Sequence, residues 1–268
     1  GVVNGISVEM GRQPWGAIIK NPDSSDATKV MYLTPRFAGF QAGFSYAPEN
    51  GDEGQSVVGT KNTSGYSDFL EYGINYTGDF SGVTVAASVT GTSGNGKGDN
   101  RVTTTSPATT ATAIIGGTSV PVTIPGTTTT TGTAALKDFS AWQVGAQIGY
   151  AGFKLGGGYV DADNFNVPVR TDSGDQHAWH AGASYTTGPI AVGLTYADAE
   201  GAKAGFTTYA SDYKTYGGGV AYTVAPGLVL QGDFMYVDET VVGVGAANTG
   251  LRADNEGYVA VISTRLNF

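Results

Sequence analysis

The chain has no cysteine and only two histidines among 268 residues. Disulfides and thiolate metal sites are therefore excluded. Charge is also scarce: Asp, Glu, Lys and Arg make up 14% of the chain, against a usual ~25%. Basic residues are the rarer sign, with 14 Lys and Arg against 23 Asp and Glu and a net charge of -9. That balance argues against a nucleic-acid partner, which needs a clustered basic face. No run of 18 apolar residues exists, so there is no transmembrane helix. The ten prolines and the lack of a Gly-X-Y period exclude collagen. A coiled coil or helical bundle is excluded by the shortage of Glu, Lys, Leu and Arg. No leader with a charged start and an apolar run stands at residue 1, so the expected start is processed or truncated.

What the chain has in quantity is glycine, 42 residues, about twice the usual share. It also has 15 Tyr, 11 Phe and 3 Trp, spread along its length, which argues against wholesale disorder. The dominant pattern is alternation of period two. In the last segment Tyr258, Ala260, Ile262, Leu266 and Phe268 share one face, and Ser263, Arg265 and Asn267 the other. Trp142, Val144, Ala146, Ile148 and Tyr150 alternate with Gln143, Gly145, Gln147 and Gly149. Leu228, Leu230, Phe234 and Tyr236 oppose Gln231 and Asp233.

This pattern predicts an all-β chain of twelve strands near 2–11, 28–36, 40–48, 68–78, 83–92, 139–150, 153–162, 176–186, 190–199, 211–223, 228–238 and 255–268. Most exceed the ~5–6 residues of soluble strands and match the ~9–11 that cross a bilayer at a tilt. Short turns at 37–39, 79–82, 151–152, 187–189 and 225–227 alternate with long connections at 12–27, 49–67, 93–138, 163–175, 200–210 and 239–254. Short turns at one end and long loops at the other are the mark of a transmembrane antiparallel up-and-down β-barrel. The connection 93–138 is low-complexity and Thr-rich, and is expected to be an external, mobile loop within one domain spanning 1–268. Aromatics gather in two belts: Phe40, Phe80, Tyr150, Phe153, Tyr185 and Tyr222 near the short turns, and Tyr46, Trp142, Tyr159, Trp179, Tyr196 and Tyr236 near the long loops. Two such belts fit the two interfaces of a membrane.

The stretch Val30-Met31-Tyr32-Leu33-Thr34-Pro35-Arg36-Phe37-Ala38-Gly39-Phe40-Gln41-Ala42-Gly43-Phe44-Ser45-Tyr46 resembles a hairpin of Gram-negative general porins, of the Rhodobacter type. The last strand, closing on Phe268, resembles the porin terminus that the outer-membrane assembly machinery reads. The resemblance implies an outer-membrane, homotrimeric, sixteen-stranded channel for ions and small hydrophilic solutes, in contact with lipid and lipopolysaccharide. It implies no cofactor. Residues 5–12 resemble the strand before the family's third loop, which implies four strands missing upstream; a twelve-stranded barrel is the alternative. Residues 12–27 then stand where the family has its pore-constricting loop, and are shorter than usual there.

Inward-facing charges by alternation are Glu9, Lys29, Glu71, Lys154, Asp233 and Arg265. Asp23 and Asp26 are candidates to line the pore opposite Arg12 or Arg36. Opposed charges across a narrow wet gap set up a transverse field that orders water and disfavours apolar solutes. The bland reading of each is a solvated wall residue. The net charge predicts a weak cation preference. Asp161, Asp163, Asp172 and Asp175 flank one loop and are candidate Ca²⁺ ligands, although no EF-hand spacing is present. His177 and His180, three apart on a strand, face opposite sides and do not share a metal. Gly91 to Lys97 match a phosphate-binding loop for seven positions, but the eighth is Gly98, which cannot ligate Mg²⁺. No Ser/His/Asp arrangement points to an enzyme. No inward aromatic row of the kind sugar channels use is visible. The alternative to a channel is a surface adhesin or carbohydrate-binding β-protein, which would dissolve without detergent.

Overall fold

The computed structural model describes residues 24, 27–49, 65–98, 102–115, 118–131, 135–165, 169, 175–200, 208–244 and 252–266. They form fifteen strands and no helix. In chain order these are β1 Val30–Leu33, β2 Phe40–Glu49, β3 Tyr66–Phe80, β4 Val83–Gly96, β5 Val102–Ser106, β6 Thr109–Ile115, β7 Thr118–Ile124, β8 Thr127–Thr131, β9 Phe139–Tyr150, β10 Phe153–Asp163, β11 Asp175–Thr187, β12 Ile190–Glu200, β13 Thr208–Ala225, β14 Leu228–Val244 and β15 Arg252–Leu266. Eleven of them make one antiparallel sheet in the order β1-β2-β3-β4-β9-β10-β11-β12-β13-β14-β15.

Every strand in that sheet pairs with its neighbour along the chain, apart from β4 and β9, which pair across the intervening segment. The short turns are tight for a definite reason. Ala38 and Gly39, Ser81 and Gly82, and Ala151 and Gly152 all have positive φ at both positions. That is the type I′ geometry, whose twist matches the flanking strands. Gly39 has no room for a side chain, because a Cβ there would lie 2.5 Å from the Thr77 carbonyl oxygen.

The sheet's two faces differ. On one face Phe44, Leu155, Leu194, Phe234 and Ile262 stand in the open, with Leu194 70% and Ile262 91% exposed. Register keeps this face continuous: Tyr150 lies opposite Phe153, which lies opposite Tyr185, which lies opposite Val192. A soluble protein does not expose an apolar surface of this extent. No second sheet covers it among the described residues, as a β-sandwich would require. The other face carries Gln41, Ser45, Asn75, Ser88, Gln147, Ser184 and Gln231, and is the inner one. Apolar outside and polar inside is the arrangement of a membrane barrel.

Both aromatic belts stand on the outward face. Phe153 packs on Tyr185 at 4.2 Å between ring centres near the short turns. Near the long connections Trp142 meets Tyr159 at 5.2 Å, Trp179 meets Tyr196 at 4.8 Å, and Tyr196 meets Tyr216 at 4.9 Å.

Some expectations need correction. The first strand is four residues, Val30–Leu33, rather than 28–36. Pro35 follows it and can donate no ladder bond. The strand β4 runs to Gly96, β14 to Val244, and β15 begins at Arg252, so the connections expected at 93–138 and 239–254 are shorter. The segment 93–138 is not a featureless loop. Thr103, Thr104 and Thr105 pair with Thr130, Thr129 and Thr128, and Ala111 pairs with Val122. Threonine is β-branched, and that stiffness favours extended backbone. Pro107 and Pro125 fall where the β5–β8 ladder gives way to β6–β7. The expected strand 2–11 lies outside the described residues.

Candidate functional site: the inner face of the sheet

The inner face has three levels. At the short-turn mouth, Arg36 donates to the Gly39 carbonyl at 2.6 Å and to Thr77 Oγ1 at 3.0 Å. Its second terminal nitrogen donates to Gln41 Oε1 at 3.1 Å and Asn75 Oδ1 at 2.6 Å. Lys154, half-buried, occupies the second position after its turn, opposite Gly149 and Ser184. Arg265 sits opposite Val229 at the same level, and its Nε is shielded without a hydrogen-bond partner. Asp79 accepts from the Gly82 amide at 3.1 Å and so belongs to its turn.

In the middle level Glu71 receives two hydrogen bonds from Ser24, one from the amide at 2.8 Å and one from the hydroxyl at 3.0 Å. Lys29 stands 3.8 Å from the same carboxylate. The segment holding Ser24 and Ala27 is thereby tied to the inner wall. Asp233 accepts from Gln231 at 2.8 Å. His180 lies over Gly158, where a Cβ would come within 2.9 Å of the imidazole. His177 is on the outward face, 3.5 Å from Glu200. The alternation reading placed both histidines correctly.

At the long-connection mouth the inner face holds an aromatic knot that alternation did not reveal. Tyr66, Phe69 and Phe139 are buried and pack with Phe165, Ala27, Ala47 and Leu136. Ring centres of Tyr66 and Phe139 are 4.7 Å apart, and those of Phe69 and Phe139 5.1 Å. Phe69 lies opposite Ala47 and Phe139 opposite Gly94, both on the polar phase of their strands. The signal was present: Phe69 has the parity of Glu71. Beside the knot, Lys97 and Glu49 pair at 3.3 Å, with the lysine side chain nearly enclosed.

The outward rim above the upper aromatic belt is acidic. Register places Asp161, Asp163, Asp175, Asp198, Glu200, Asp212, Asp238, Asp254 and Glu256 on it. Lys214 and Arg252 share those register positions. Tyr159 donates to Asp161 at 3.0 Å, Tyr196 to Asp198 at 2.9 Å and Tyr236 to Glu256 at 2.9 Å. Of the Ca²⁺ candidates, Asp163 and Asp175 meet as cross-strand partners. Burial, then repulsion from Asp175 and Asp161, pushes the Asp163 carboxyl above the usual carboxylate range. Asp161 is held by Tyr159, and Asp172 lies outside the described residues. Among the described residues no three such side chains gather to hold a metal. Asp163 and Asp175 by themselves supply fewer oxygens than the 6–8 that Ca²⁺ takes. Glu9, Arg12, Asp23, Asp26 and Phe268 also lie outside the described residues.

Among solved structures, the outer-membrane expressed OmpT of Vibrio cholerae is 13% identical with a TM-score of 0.51, over 89% of this chain and 64% of that one. The anion-selective porin from Comamonas acidovorans is 18% identical with a TM-score of 0.53, over 90% of this chain and 59% of that one. The chain thus spans about three fifths of the length of these two solved structures. No curated protein matches it in sequence. The family model of Gram-negative porins matches residues 2–241. With that match over most of its length, on a sheet apolar outside and polar within, the chain belongs to the Gram-negative porin family.

Proposed function

We propose that the protein forms a water-filled channel in the bacterial outer membrane, through which ions and small hydrophilic solutes pass down their gradients. One observation carries this reading: the eleven-stranded sheet is exposed and apolar outside, between two aromatic belts, while its inner wall is polar and holds a tethered segment at Glu71. The work needed is exclusion by size and by field, with no catalytic step and no cofactor. Glu71 and Lys29 supply opposed charges beside that segment, which orders water in a narrow gap. Ser24, held on Glu71, narrows the passage at that level. The channel works as a homotrimer in contact with lipid and lipopolysaccharide, and Phe268 marks the end read by the assembly machinery.

The test is a planar lipid bilayer holding the detergent-extracted protein at fixed voltage. Stepwise conductance increases in threes are expected. A silent bilayer with insertion confirmed overturns the channel. Replacing Glu71 with Gln releases a charge-assisted contact of about 1.5–3 kcal/mol, and larger current fluctuation is the expected readout.

A further inference from the structure

The net charge of -9 suggests a pore that prefers cations. The placement of the charges says otherwise. Nine carboxylates stand on the outward rim, where the wall separates them from the lumen and screening over ~8 Å weakens them further.

On the inner face Glu71 is answered by Lys29 and Glu49 by Lys97. Asp79 and Asp233 are held by a turn amide and by Gln231 and keep their charge, which leaves three cations against Asp79 at the short-turn mouth. The cations of the short-turn mouth differ. All four hydrogen bonds of Arg36 go to neutral acceptors: a carbonyl, a hydroxyl and two amide oxygens. These bonds fix the guanidinium without cancelling its charge. Lys154 stands over glycine and serine, with no carboxylate in contact among the described residues. Arg265, paired with Val229 just past the 226–227 turn, has none either, and its Nε makes no hydrogen bond.

We propose that Arg36, Lys154 and Arg265 form a cationic ring at the short-turn mouth that makes this channel favour small anions, including carboxylate- and phosphate-bearing solutes. The proposal rests on the channel reading above. The ring raises the local anion concentration at one end of the passage and lowers that of cations. Its influence is strongest when the dilute solution bathes that end, because screening is weakest there.

The absence of cysteine allows a direct test on the assembled channel. The zero-current potential is measured in a KCl gradient across a planar bilayer, with the dilute side at each mouth in turn. A chloride-favouring potential is expected, larger with the dilute side at the short turns. In a Lys154→Cys variant this preference falls. A cationic methanethiosulfonate added to the open channel restores it, and an anionic one drives it further down, by about twofold in permeability ratio per unit charge. Because the reagent acts after folding, a folding defect cannot imitate the result. Conductance steps with potassium preference, or equal effects of the two reagents, overturn the ring and leave the channel standing. Absence of any steps overturns both.

Discussion

The two rims of the sheet are built on opposite plans. The short-turn rim is closed by tight turns, three of them two-residue I′ turns, and its inner face carries Arg36, Lys154 and Arg265. The long-connection rim buries Tyr66, Phe69 and Phe139 on the inner side, packed with Leu136 and Phe165. Its outward side carries the carboxylates. A barrel interior is usually polar because water fills it. An aromatic knot there means that inward side chains of the wall strands β3 and β9, joined by Leu136 and Phe165, make a local approach to a soluble core. The difference teaches that one rim positions charge by backbone geometry and the other positions chain by burial.

The comparison breaks hardest at the knot. Phe139→Ala removes a side chain only 3% exposed, and truncation of a buried Phe costs about 3–5 kcal/mol. The expected result is a lower denaturation midpoint together with a larger single-channel conductance, since both the packing and the narrowing are lost. An unchanged conductance would place the knot outside the passage.

Next comes the wall between the rims. Leu194→Arg puts a charge on the lipid face, between Val192 and Tyr196, at a cost of about 2–4 kcal/mol. Asp198→Arg, four residues higher on the same face, is expected to cost under about 1 kcal/mol, because that level is wet. Unfolding by urea in lipid vesicles measures both. Equal costs would mean that the upper aromatic belt does not mark the membrane boundary.

The smallest effect concerns pH at the upper rim. Asp163 is pushed up by burial and by its carboxylate neighbours, so its protonated form is favoured in the folded chain. Its contribution to stability grows as pH falls through that raised value and is lost as pH rises again. Asp163→Asn is expected to flatten this part of the dependence. Thermal melting from neutral to mildly acidic pH follows it, and a variant with the same slope as the parent would discard the assignment.

Much of this was legible in the sequence. Alternation placed Glu71, Lys154, Asp233 and Arg265 on one face, because a strand allows only two directions. The outward carboxylates also have a local signature, in Tyr159-Val160-Asp161, Tyr196-Ala197-Asp198 and Tyr236-Val237-Asp238. The third departs from the others because register sets Glu256 beside Asp238, and Tyr236 bonds to Glu256 instead. Parity marked Phe69 as inward but did not show the knot, since Phe165 meets Tyr66 and Phe139 only across pairings distant in sequence. The Thr-rich hairpin was missed because low complexity was read as lack of structure, whereas repeated β-branched residues pair in many registers with equal ease.

Every strand of the large sheet is bonded to its immediate predecessor and successor, save at one junction. There β4 and β9 keep eleven residues in register, from Thr84 opposite Gly149 to Gly94 opposite Phe139, with residues 97–138 lodged between them. The architecture is therefore modular. A segment inserted at the long-connection rim leaves the ladder on either side unaltered, and the molecule already carries such an insertion. By the same logic, duplicating or excising one hairpin would change the circumference two strands at a time without rewriting any pairing that remains. Lineages built on this sheet can vary in girth and in surface ornament independently.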